Sequence, residues 1–142
     1  MISSLSVQTY LDAFKSLHCQ VVGGGKKNPA KALIVLSILD LISDGRCSEN
    51  QVNRSDIEEQ YKKFQNKYNV PTPYQYPLYF MENELFYHLK WRSGKIKTHT
   101  PSAKLVRENV EYAYLDNELW ELLQDEGIRS EFRSVIEDYY LK

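Results

Sequence analysis

The sequence predicts an α+β domain, mostly helical, with helices packed around a buried central helix and a small β-hairpin or sheet. Three observations carry this. Ala30 to Ile42 is apolar nearly all round, as a helix inside a core is. Most other apolar residues recur at helical spacing. One stretch, Leu85 to Trp91, instead alternates and is followed by a turn signal. At 142 residues the chain is read as a single domain, 1–142.

The elements follow in order. Val7, Tyr10, Leu11, Phe14 and Leu17 make an amphipathic first helix. Gly23-Gly24-Gly25-Lys26-Lys27-Asn28-Pro29 breaks it and reads as a mobile, cationic loop. Pro29 suits the first turn of the central helix, and Gly45 suits the position just past its end. Gln51-Val52-Asn53 reads as a short strand. Ser55 with Glu58 forms the pattern of a capping box, opening a helix to about Tyr68 with Ile57, Tyr61 and Phe64 inward. Val70 to Pro77 carries three prolines and is predicted not to be regular helix. Leu85 to Trp91 reads as a strand, Ser93-Gly94 as a turn, and Lys95 to Thr98 as the returning hairpin partner. Ser102 caps a short helix to Asn109, and Val110 to Leu115 fits either a strand or an extended link. Asp116 caps a helix with Leu119, Trp120, Leu122 and Leu123. A last helix starts at Glu126 or Gly127 and carries Ile128, Phe132, Val135, Ile136 and Tyr139.

Composition narrows the function. Hydrophobic residues at 42% and charged residues at 26% exclude a disordered chain. The 18 Lys and Arg nearly cancel the 19 Asp and Glu, so any nucleic-acid contact must come from a local patch. Such a patch is visible. Lys90, Arg92, Lys95, Lys97, Lys104 and Arg107 fall in one stretch without a single acid, whereas the chain after it is acidic. Cationic side chains beside aromatic ones suit a phosphate backbone with its sugars and bases; the plain alternative is a solvated hairpin protected by lysines. The 11 Tyr exceed what a core of this size needs and suggest a gripping surface.

Catalytic and metal chemistry find no pattern. Cys19, Cys47, His18, His88 and His99 lack metal-ligand spacing, and no nuclease, hydrolase or P-loop signature is present. Asp40 and Asp44 share a helix face and read as a solvated stripe or local caps. His88 and His99 are lesser candidates for the basic side. Two isolated cysteines and no signal peptide fit a reducing cytoplasm. Ser37 and Asp40 interrupt the apolar run, so no membrane span is expected. No cofactor is expected.

Asn28-Pro29-Ala30-Lys31-Ala32-Leu33-Ile34-Val35-Leu36, then Tyr76-Pro77-Leu78-Tyr79-Phe80, then Leu85-Phe86-Tyr87-His88-Leu89, then Leu115-Asp116-Asn117-Glu118-Leu119-Trp120 resembles, in order and spacing, the DNA sulfur-binding domain of McrA-type HNH restriction endonucleases. The likeness covers roughly residues 20–141. It implies binding to double-stranded phosphorothioate DNA, in which sulfur replaces a non-bridging oxygen. It also implies a sulfur pocket of Lys31, Tyr76, Pro77 and Phe80. DNA-backbone contacts would come from Lys26, Lys27, Lys90, Arg92, Lys95, Lys97, His99, Lys104 and Arg107. The HNH nuclease domain is expected to be absent, leaving a non-catalytic module of a modification-dependent restriction system. An HNH domain, a partner protein or a second copy of the chain are further partners on this reading. Two alternatives stay open: a protein-interaction or oligomerisation module, and a reader of a different DNA modification.

Overall fold

A computed structural model describes residues 4–18 and 28–142. The predicted loop from Gly23 to Lys27 and Cys19 lie outside the described residues. Helix α1 spans Ser4–Lys15, α2 Ala30–Ser43, α3 Arg54–Tyr68, α4 Gln75–Phe80, α5 Ala103–Asn109, α6 Asn117–Leu122 and α7 Glu126–Tyr140. Strands β1 (Val52–Asn53), β2 (Tyr87–Trp91) and β3 (Val110–Leu115) form an antiparallel sheet in the order β1-β3-β2. The fold is α+β and mostly helical, as expected.

Helix α2 is the axle. Twelve of its 14 residues are buried, and α3, α4 and α7 pack against it. Each fully buried Leu or Ile of this helix contributes about 1.5–3 kcal/mol through water excluded from its surface. Its C-terminus closes with Gly45 at φ 74°, where the Gly45 N–H reaches Ile42 O and the Arg46 N–H reaches Leu41 O. These paired bonds satisfy orphan carbonyls and need a left-handed residue, which glycine adopts without a Cβ clash. Phe14 of α1 meets the rings of Phe86 and Phe132 edge-on, at 5.2 and 5.1 Å between centroids, and so joins the first helix to the sheet and to α7.

Several expectations are corrected. Lys95 to Thr98 is not a strand. The partner of β2 is β3, with Tyr87 opposite Leu115 and Leu89 opposite Ala113. The reason is burial: Val110, Ala113 and Leu115 all face the core, whereas Lys95-Ile96-Lys97-Thr98 offers one apolar side chain. The cap of α3 is Asn53 and not Ser55; its side chain accepts from the Ser55 N–H at 2.8 Å. Glu58 is instead taken by Arg54, Lys62 and Arg107. The proline-rich segment does contain a helix, α4, with Pro77 as its third residue. In the first turn a missing N–H breaks no intrahelical bond. Asp40 is no solvated stripe. It ion-pairs with Arg133 of α7 and accepts from Gln60 of α3, tying three helices together.

Five of the 11 tyrosines lie in the core and not on the expected gripping surface. Tyr61, Tyr74, Tyr79, Tyr87 and Tyr140 are buried. Their hydroxyls reach across the chain: Tyr61 donates to Thr72 O at 2.7 Å, Tyr87 to Leu78 O at 3.0 Å and Tyr140 to Phe14 O at 2.5 Å. A buried ring with a polar tip fills the core and satisfies an irregular backbone at the same time.

Candidate ligand pocket and basic loop

A cavity of about 400 Å³ opens between the N-terminus of α2 and helix α4. His18, Asn28, Ala30, Lys31, Thr72, Tyr76, Pro77, Phe80, Asn83 and His99 line it. Lys31, Tyr76, Pro77 and Phe80, named from the sequence, therefore share one cavity, and His99 joins them. Helix α4 explains the apolar wall. Its first turn places the half-buried Tyr76 beside the buried Pro77, and Phe80 follows one turn later, held edge-on against Tyr79 at 4.9 Å. Pro77 presents CH groups and no competing donor.

The rim opposite is polar. Asn28 precedes the Pro29 N-cap of α2, its Oδ1 accepting from the Ala30 N–H at 3.0 Å while its Nδ2 donates to Thr72 Oγ1 at 3.1 Å. Lys31 is only 8% exposed. Its Nζ donates to Glu84 Oε2 at 2.8 Å. Glu84, 5% exposed, also accepts from the His18 backbone N–H at 3.1 Å and lies 3.1–3.2 Å from His18 Nδ1. Burial alone would raise the Glu84 pKa. The bonds from Lys31 and His18 outweigh it and hold the carboxyl below the usual carboxylate range. Glu84, His18, Asn28, Thr72 and Asn83 were not singled out for this site from the sequence. Of these, only Asn28 carries a local signal, the Asn-Pro start of a helix.

The basic residues divide. Lys95, Lys97 and His99 lie on an irregular loop after β2 that Tyr79 holds against α4. The Tyr79 hydroxyl donates to Ile96 O at 2.8 Å and accepts from the Thr98 N–H at 2.9 Å. Lys95 sits 5.5 Å from the Tyr79 ring centroid and ion-pairs with Glu82 at 3.4 Å. Lys97 and Lys104 are exposed, with no ion-pair partner among the described residues. Lys90 is exposed on the outer face of the sheet opposite Tyr112, and Arg92 follows β2. Arg107 bonds Glu58 at 2.9 Å. Apart from His99, none of the basic-stretch residues lines the cavity. His88 is bonded to Asp116 at 2.7 Å and packs on Tyr114. Lys26 and Lys27 lie outside the described residues. Among the described residues no group of His, Cys, Asp and Glu gathers that could hold a metal ion, and no helix is long and apolar enough to cross a membrane.

The architecture is that of solved sulfur-binding domains of McrA proteins. The chain is similar to the sulfur-binding domain of SprMcrA, solved with phosphorothioated DNA: TM-score 0.75, 15% identity, 96% of this chain and 86% of that one. It is similar to the sulfur-binding and SRA domains of ScoMcrA, also solved with phosphorothioated DNA, at TM-score 0.73 and 12% identity. The likeness extends to the type IV phosphorothioation-dependent restriction endonuclease ScoMcrA, at TM-score 0.72 and 11% identity. The aligned region covers 93% and 92% of this chain but only 43% and 29% of those two longer chains. No family model matches the sequence, and no curated protein matches it. At these identities the likeness establishes the fold, and the pocket must be argued from its own residues.

Proposed function

We propose that this chain is a recognition module for phosphorothioate-modified double-stranded DNA, non-catalytic in itself and serving a modification-dependent restriction system. One observation carries the reading: a single cavity combines an apolar Tyr-Pro-Phe wall with a buried, oriented ammonium beside a basic loop. Sulfur is larger and less strongly hydrated than oxygen, so apolar contact rewards it more. The ammonium of Lys31 meets the diester charge that both atoms share. Lys97, His99 and Lys104 on the loop and α5 hold adjoining phosphates, with Lys90 and Arg92 extending the contact. The fold shared with domains solved on phosphorothioated DNA supports the same assignment.

The test is a titration at fixed salt with one short duplex, with and without a single phosphorothioate. Tighter binding to the sulfur duplex, lost in Pro77→Ala and Tyr76→Ala, is expected. Equal binding to both duplexes would remove the sulfur pocket and leave a general DNA contact. Binding to neither, across several base contexts, would overturn the nucleic-acid reading in favour of a protein-interaction module.

A further inference from the structure

A carboxylate buried behind a pocket for an anion opposes that anion. Glu84 stands there, behind Lys31 and outside the cavity lining, and takes one donor of the Lys31 ammonium. The same carboxylate gathers both the backbone N–H and the ring of His18. Three segments distant in sequence thus meet on one acid.

We infer that Glu84 is a specificity-determining positioning residue: by drawing the Lys31 ammonium back, it leaves the wall of Tyr76, Pro77 and Phe80 as the first contact for the non-bridging atom and so favours sulfur over oxygen. The inference rests on the phosphorothioate reading above.

The physical reason lies in what cancels. An ordinary diester and a phosphorothioate carry the same net charge, so through-space attraction to Lys31 adds equally to both and drops out of their ratio. Short-range contact does not cancel. An unrestrained ammonium, with three donors, reaches forward and bonds a hard oxygen more strongly than a soft sulfur. Apolar contact has the opposite preference, because sulfur loses less hydration on entering it. Holding Nζ at 2.8 Å from a buried acid shifts the balance towards the apolar wall.

The experiment measures both dissociation constants, with the sulfur duplex and its unmodified twin at one salt concentration, for the wild type, Glu84→Gln and Glu84→Asp. Thermal unfolding is followed for each. Glu84→Gln is expected to reduce the ratio of the two constants by about tenfold, mainly by tightening the unmodified duplex. Glu84→Asp keeps the charge at shorter reach and is expected to fall between. If Glu84→Gln does not fold, an intermediate ratio in Glu84→Asp supports the inference and an unchanged one overturns it. Equal shifts on both duplexes overturn it, since Glu84 would then be a structural partner only. A wild type that discriminates while the ratio survives both substitutions defeats this inference alone. A wild type that does not discriminate defeats it together with the reading on which it rests.

Discussion

The hydroxyl of Tyr79 donates to the carbonyl oxygen of Ile96 at 2.8 Å, which ties the pocket helix to the basic loop. The Tyr79 hydroxyl oxygen in turn accepts from the Thr98 N–H, so one buried phenol satisfies two backbone groups in a segment without sheet or helix partners. Edge-on contacts with Phe80 and Trp91, at 4.9 and 5.9 Å, lock the ring. The position of Lys97 and His99 relative to the cavity therefore depends on a residue outside the cavity lining.

Tyr79→Phe keeps the packing and deletes the tie. It should lower stability by about 1–2 kcal/mol, the usual effect of leaving backbone groups without their partner. If the loop holds phosphates, the affinities of the sulfur and unmodified duplexes should fall together, with a shallower salt dependence and an unchanged ratio between them. Denaturant unfolding and titrations at several salt concentrations measure both effects.

Lys97 has no ion-pair partner among the described residues and Arg107 has Glu58, so the two should behave differently. Lys97→Glu should weaken DNA binding and reduce the slope of log affinity against log salt by roughly one contact's worth, with little change in stability. Arg107→Ala should instead disturb the Glu58 cluster and show mainly in acid stability.

Glu58 sets that acid limb. Burial alone would raise its pKa, but bonds from Arg107 and Lys62 outweigh it and hold the pKa at about 2, against 4.5 for a free glutamate. A group with a depressed folded-state pKa contributes stability that is complete above the unfolded value and lost as pH falls through the folded one. The contribution should be present above about pH 4.5 and vanish towards pH 2, amounting to roughly 2–3 kcal/mol. Unfolding midpoints across that range should fall more steeply in the wild type than in Glu58→Gln.

Leu33 is wholly buried in the central helix. Leu33→Ala should cost about 2–5 kcal/mol, from lost transfer energy plus the cavity left in a packed core. Chemical denaturation of the two proteins checks it.

The elements legible beforehand were those set by local rules. The apolar run of α2, the left-handed glycine after it and the Ser102 cap depend on residues within a few positions of one another. The capping box failed because Asn53 competes with Ser55 for the same helix end. The hairpin failed because strand pairing is chosen by how much each candidate buries, and β3 buries more than residues 95–98. Four residues of the candidate pocket were named through resemblance, whereas Glu84 and His18 have no motif to mark them.

By itself the sequence determined the fold class, the central helix and the segregation of basic from acidic residues. These follow from periodicity, composition and order along the chain. The tertiary structure alone decided that Lys31 faces a buried acid 53 positions away and that five of the tyrosines are buried, the hydroxyls of Tyr61, Tyr87 and Tyr140 tying distant backbone. It also placed the basic loop beside the cavity. Each of these is a contact between distant segments, and its energy depends on burial and geometry that arise only when the core closes.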